Sequence, residues 1–253
     1  MPNRRVIAFV STICFACALT LSLLAIFLKG PQADARELYK SKQLLISAHI
    51  LDASGHFITP EGDGKKASSK EILDYYQSNI TPMLITKDGV AVTFEEAGVD
   101  MQSYIAEHEK EGYATLPEKL IYRFPGGYII PINGYGLWDA IYGYLAIADD
   151  GNTVVGATWY DQQETPGLGG EISTPEWLSQ FPGKVIFQVD ESGNTDFDRA
   201  PIGISVVQNP SGASEVQAIA GATITSTGVA AAYRQSLAPY RPFLLQRREG
   251  GNG

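Results

Sequence analysis

The residues with the most open chemistry lie in one run of small side chains and hydroxyls, Ala220-Gly221-Ala222-Thr223-Ile224-Thr225-Ser226-Thr227-Gly228. Thr223 follows Gly221 and Ala222, so nothing bulky on that side keeps a large group from its hydroxyl. Val229 to Leu237 is rich in Ala and free of Gly and Pro, which predicts a helix. The hydroxyls therefore stand where a helix N-cap and unpaired backbone N–H groups are expected. That end of a helix attracts anions, phosphate in particular. Two uses fit such a run: a Ser/Thr cap after a tight turn, or a place where an anion such as phosphate is held.

Other reactive residue types give less. Cys14 and Cys17 have C-x-x-C spacing, but two thiols make half a metal site, and inside an apolar stretch they read as small packing residues. His108, between Glu107 and Glu109, does not form H-E-x-x-H and reads as part of a solvated charged face. His49 reads as a helix-surface residue and His56 as a loop residue. No Ser-His-Asp set and no carboxylate pair can be assembled. The glycine-rich run Gln162 to Glu171 is neither G-x-G-x-x-G nor a Walker loop. Any redox or transfer chemistry would have to come from a bound cofactor, with the protein supplying position and electrostatics.

The elements that position these residues can be read in order. The chain has 253 residues and a formal charge of −9. Val6 to Leu28 is an uncharged, mostly apolar stretch of 23 residues, about 35 Å as a helix and enough to cross a bilayer with some tilt. It is too long for a signal-peptide core, and Leu28-Lys29-Gly30 is not a small-residue cleavage site, so a retained anchor over residues 1–30 is expected. Arg4 and Arg5 before the span outweigh Lys29 after it, which predicts a cytoplasmic N-terminus and an exported domain. Without those three cations the charge of −9 becomes −12, which argues against nucleic acid or an anionic membrane surface as a partner. The remainder of the chain lacks Cys, which suits an oxidising compartment.

A helix over 34–51 and a loop over 52–70 form the expected linker, 31–70, leading to a domain over 71–253. Within that domain Glu71 to Asn79 reads as a helix, and short strands are expected at Leu84–Ile85 and Val90–Phe94. Val99 to Gly112 reads as helical or loose. Strands are expected at Leu120–Phe124, Tyr128–Ile132, Tyr142–Ala148 and Thr153–Tyr160, the last two joined through Asp149-Asp150-Gly151-Asn152. The fold class is α+β: an N-terminal transmembrane helix, then one domain of antiparallel hairpins centred on 120–160 with helices packed on one side.

Three motifs occur in order: Gly134-Tyr135-Gly136-Leu137-Trp138, Glu164-Thr165-Pro166-Gly167-Leu168-Gly169, and Gly221-Ala222-Thr223-Ile224-Thr225. The last resembles the covalent flavin attachment motif of the FMN-bind domain family, S/T-G-A-T, whose final Thr carries FMN through a phosphoester; here that position is Thr223. The chain departs from the family pattern at Ala220, where Ser or Thr is usual, and at Gln217, which stands where an Asp is expected, with Glu215 the nearest acid. Together with Pro175-Glu176-Trp177 and Phe181-Pro182-Gly183-Lys184, the order and spacing are similar to the C subunits of sodium-translocating NADH:quinone oxidoreductases. The G subunits of the related ferredoxin:NAD-oxidoreductase complexes share the G-A-T site and an anchor, but the extent of the match favours the sodium pump.

The resemblance implies an electron relay in a membrane complex, with covalent FMN as cofactor, the other subunits as partners and a flavin transferase acting during maturation. Expected walls for the isoalloxazine ring are Leu137, Trp138 and Leu168. Glu164 and Thr165 would offer hydrogen bonds to the ribityl chain or ring edge. Gly136, Gly169 and Gly170 would allow close backbone approach. Thr225 would cap the helix or hold the phosphate, with Lys184 as counter-charge. The remaining alternatives are an anchored binding module without a cofactor and a scaffold protein of the same complex that has lost flavinylation.

Overall fold

A computed structural model describes residues 3–58, 64–189 and 195–250. The chain divides into two compact units between Lys40 and Ser41. The first helix, α1 (Asn3–Ser47), runs 45 residues with Pro31 inside it, and is long and apolar enough to cross a membrane. Its last two turns belong to the second unit, where Leu44 and Leu45 are fully buried. The helix ends at Ser47 rather than at 51. His49 takes the left-handed conformation at φ 57°, and the Ile50 N–H returns to Leu45 O at 2.9 Å. His49 is thus part of the turn that closes the helix rather than of its surface. The middle of the expected 52–70 connection, residues 59–63, lies outside the described residues.

The second unit is built on a six-stranded antiparallel sheet. Helix α2 (Ser69–Asn79) starts with a capping box in which Ser68 and Glu71 exchange hydrogen bonds. Strands β1 (Thr81–Ile85) and β2 (Ala91–Val92) follow, then α3 (Met101–His108), β3 (Lys119–Phe124), β4 (Gly127–Tyr135), β5 (Ala140–Ala148) and β6 (Val154–Asp161), with sheet order β2-β1-β3-β4-β5-β6. β4 extends to Tyr135, three residues past the expected end. Asn133, Gly134 and Tyr135 pair with Tyr142, Ile141 and Ala140, so the first part of the G-x-G-L-W motif is strand and only its tip is turn.

After β6 come a 3₁₀ turn, Gly169–Ser173, and a single helical turn, α4 (Pro175–Leu178), then β7 (Ser205–Val207), β8 (Glu215–Gln217), α5 (Thr223–Leu237) and α6 (Arg241–Gly250). β7 and β8 pair in parallel as a separate ribbon, which no sequence pattern indicated. Helices cover both faces of the main sheet, not one. On one face Trp159 of β6 meets Tyr233 of α5 edge to face, with ring centroids 5.4 Å apart. On the other face Thr158 and Gly156 meet the end of α1: the Thr158 hydroxyl donates to Gln43 O at 3.5 Å, and a Cβ on Gly156 would lie 2.6 Å from Ser47 O. The helix α5 lies close to β4 because Gly134 and Gly228 lack side chains: a Cβ on Gly134 would sit 2.5 Å from that of Ala232, and one on Gly228 would strike Tyr135 O.

Candidate functional site

The helix α5 begins at Thr223, six residues before the expected start. Thr and Ile are weak helix formers, so sequence propensity alone delays the start; packing of the first turn overrides it. Gly221, at φ 74°, makes the turn that leads in, and the Ala222 N–H closes it on Ile219 O at 3.1 Å. Ala222 is the N-cap, and no side chain caps the helix there. The first helical bond runs from the Ser226 N–H to Ala222 O at 2.9 Å. The N–H groups of Thr223, Ile224 and Thr225 therefore have no acceptor inside the helix. Ser226 is buried, and its Oγ accepts the Ile219 N–H at 3.2 Å, tying the incoming strap to the first turn.

The hydroxyls of this turn have separate fates. Thr223 is exposed, whereas Thr225 is 1 % exposed. Thr225 is not the cap: it is the third residue of the helix, and its hydroxyl donates to Glu164 Oε2. The Glu164 Oε1 atom accepts the N–H groups of Leu137 and Trp138, each at 2.9 Å. One buried carboxylate thus joins the tip of the β4–β5 hairpin, the segment after β6 and the start of α5. Burial pushes the Glu164 pKa up, but the Thr225 hydroxyl and the Trp138 and Leu137 N–H groups outweigh it, and the net direction is down. Glu164 therefore stands as a carboxylate at neutral pH.

Two glycines make room for that carboxylate. A Cβ on Gly136 would collide with Glu164 Oε1, and one on Gly169 would lie 2.5 Å from Oε2. Gly136 is held by its N–H to Asp139 O at 2.9 Å, and Gly170 by its N–H to Thr165 O at 3.0 Å. Neither lines the cavity described below. The indole of Trp138 donates to Thr165 Oγ1 at 3.1 Å, which orients a ring that is 68 % exposed.

Leu137, Trp138, Glu164, Thr165, Leu168 and Gly169 form one wall of a cavity of about 240 Å³, and Gly221 to Thr225 form the other. A second cavity, of about 390 Å³, lies beside the strap between β7, β8 and α5; Gly221 and Thr223 line both. Thr223 thus stands on the ridge between two hollows. Lys184 reaches neither. Its N–H pairs with Phe181 O, its carbonyl accepts the Val154 N–H, and its ammonium acts on Glu215. Glu164 and Thr165 line the cavity and also make contacts within the protein, Glu164 as a tether and Thr165 as the anchor of Trp138.

Sequence reasoning passed over the fastening of the strap. The Trp177 indole donates to Gln217 O at 2.8 Å, and Gln180 Oε1 accepts the Gln217 N–H at 2.7 Å. The Gln217 side chain in turn donates to Gln208 O. Trp177 and Gln180 lie about 40 positions from Gln217 along the chain, beyond any local periodicity.

An FMN-binding domain model matches residues 136–238, from the hairpin tip through α5. The C subunit of the Na(+)-translocating NADH-quinone reductase of Chlamydia caviae is 34% identical, with 95% of this chain and 91% of that protein covered. The protein of the same name from Pasteurella multocida is 30% identical over 93% of this chain and 90% of its own length. The crystal structure of the C subunit of the Na(+)-translocating NADH-quinone reductase from Parabacteroides distasonis superposes with a TM-score of 0.61 at 28% identity, covering 86% of this chain and 96% of that one. With the cavity, the three motifs and nearly full-length similarity in agreement, the chain belongs to the family of C subunits of the Na+-translocating NADH-quinone reductases.

Proposed function

We propose that this chain is a membrane-anchored electron-relay subunit that bears FMN as a phosphoester on Thr223, facing the side of the membrane opposite its N-terminus. The observation that carries the reading is the contrast within one helical turn: the Thr223 hydroxyl is open on the cavity ridge, while that of Thr225 is buried and spent on Glu164. The residues present suit the group. Trp138, Leu137 and Leu168 offer flat apolar contact, and Gly221 lets the turn approach Leu168, to which a Cβ there would come within 3.3 Å. When bound, FMN supplies one- and two-electron chemistry that no side chain here can perform.

The protein's part is to hold and neutralise. A phosphodiester keeps about one negative charge, against the −1.5 to −2 of a phosphomonoester. Among the described residues no Lys or Arg lines either cavity. The N–H groups of Thr223, Ile224 and Thr225, at the positive end of a 15-residue helix, are the remaining donors. Covalency lets a protein with an exposed, shallow site retain its flavin. The relay would pass electrons between other subunits of the complex, and a flavin transferase would load Thr223 during maturation.

The test is to express the full chain with a flavin transferase, denature it and map the modified peptide. Flavin is expected on Thr223, absent in Thr223→Ala and retained in Thr225→Ser. Flavin on Thr225, or on neither residue with a competent transferase present, would overturn the reading.

A further inference from the structure

The Glu164 carboxylate is 5 % exposed and borders the cavity, yet among the described residues it has no ion-pair partner, and no Lys, Arg or His lines the cavity. All its visible partners are neutral donors: two backbone N–H groups and one hydroxyl. Gly136 and Gly169 are the residues that leave space for it. Burial costs this charge desolvation free energy, which its three hydrogen bonds offset. Two functions can justify it, and the geometry supplies both. The carboxylate can hold three segments in register, and it can impose a permanent negative field on whatever occupies the cavity.

Resting on the flavin reading above, we propose that Glu164 is a positioning residue that both locks the cavity walls before the cofactor arrives and holds the reduction potential of the bound flavin low. The first role follows from connectivity. Thr225 and the Leu137 and Trp138 amides come from segments 61, 27 and 26 positions away from Glu164, so its two oxygens fix the wall residue Trp138 relative to the attachment turn. The second follows from Coulomb's law: an unpaired anion in a partly desolvated cavity opposes the arrival of an electron on a neighbouring ring, and little solvent screens it.

The two roles separate by substitution. Glu164→Gln keeps an acceptor for both amides and places an NH₂ against Thr225 Oγ1, but removes the charge. Glu164→Ala removes both. In full-length flavinylated protein, dithionite titration of Glu164→Gln should show the one-electron equilibrium shifted toward reduction by about tenfold, which is about 59 mV. In full-length protein made without transferase, hydrogen exchange at the Leu137 and Trp138 amides should accelerate at least tenfold in Glu164→Ala and stay within about twofold of wild type in Glu164→Gln. An unchanged potential in Glu164→Gln overturns the electrostatic role. Unchanged exchange in a folded Glu164→Ala overturns the tether. A wild-type chain that accepts no flavin overturns the flavin reading and with it the electrostatic role, while the exchange arm still decides the tether.

Discussion

Glu164 and Thr225 show how one helical turn can split its chemistry. Successive residues of α5 point about 100° apart, so Thr225 turns inward to the carboxylate while Thr223 stays open. The pairing has a pH signature. The folded-state pKa of Glu164 lies below its ordinary value of 4.5, so its contribution to stability is fully present above that value. It is lost as pH falls through the lower folded value. The difference in thermal midpoint between wild type and Glu164→Gln should therefore be constant above about pH 6 and change steadily in acid, as the wild-type advantage disappears. A difference independent of pH would show that the carboxylate is not the stabilising form. At this scale the sequence motifs picked out residues that share one cavity. Leu137, Trp138, Leu168 and Thr223 come together around one cavity, each flagged by a nearby glycine motif. What the motifs did not convey was the internal contacts: the partners of Glu164 and Thr165 lie on other segments, and Lys184 lies outside the lining of the cavity.

Among the elements, α5 is the piece that brings Thr223 to the ridge, and its distance from β4 is set by absent side chains. Gly228→Ala should raise helix propensity by about 1 kcal/mol. The new methyl, however, would strike the Tyr135 carbonyl, a backbone atom that cannot rotate away. Overpacking of this kind costs about 1–3 kcal/mol, so the clash wins. Urea denaturation of Gly228→Ala should show a lower midpoint with an unchanged slope, and flavin loading of Thr223 should fall with it. A raised midpoint would mean that α5 can lift off β4 freely. Strand positions in the main sheet were legible because alternation and the turn residues at 125–127 and 149–152 agree with the observed hairpins. The start of α5 and the β7–β8 ribbon were not. The first depends on burial of Thr225 and Ser226, and the second consists of two three-residue strands with no period to detect.

For the whole molecule, the charge pattern of the sequence predicts an orientation. Arg4 and Arg5 precede the apolar part of α1 and Lys29 follows it, which favours a cytoplasmic N-terminus. A periplasm-dependent reporter fused after Gly253 should be active, and moving the bias by Arg4→Glu with Arg5→Glu should reduce that activity. Activity of a cytoplasm-dependent reporter at the same site would reverse the assignment. An orientation can be predicted from charges alone because the rule depends only on which flank is more positive, whereas the fold of the second unit required long-range pairing.

The burial of Leu44, Leu45, Ala48, Ile50 and Leu51 decides where the chain can be cut. By composition, residues 31–70 look dispensable, a stalk between anchor and domain. By packing, the segment from Ser41 onward is a wedge of the folded body, seated against β6 through Gln43 and Ser47. A soluble version beginning near residue 36 should fold and accept flavin. One beginning at residue 71 loses those five apolar side chains at about 1.5–3 kcal/mol for each of the four large ones, a loss comparable to the whole stability margin of most domains. It should be recovered as aggregate, and solubility on expression of the two truncations side by side is the measurement that decides between wedge and stalk.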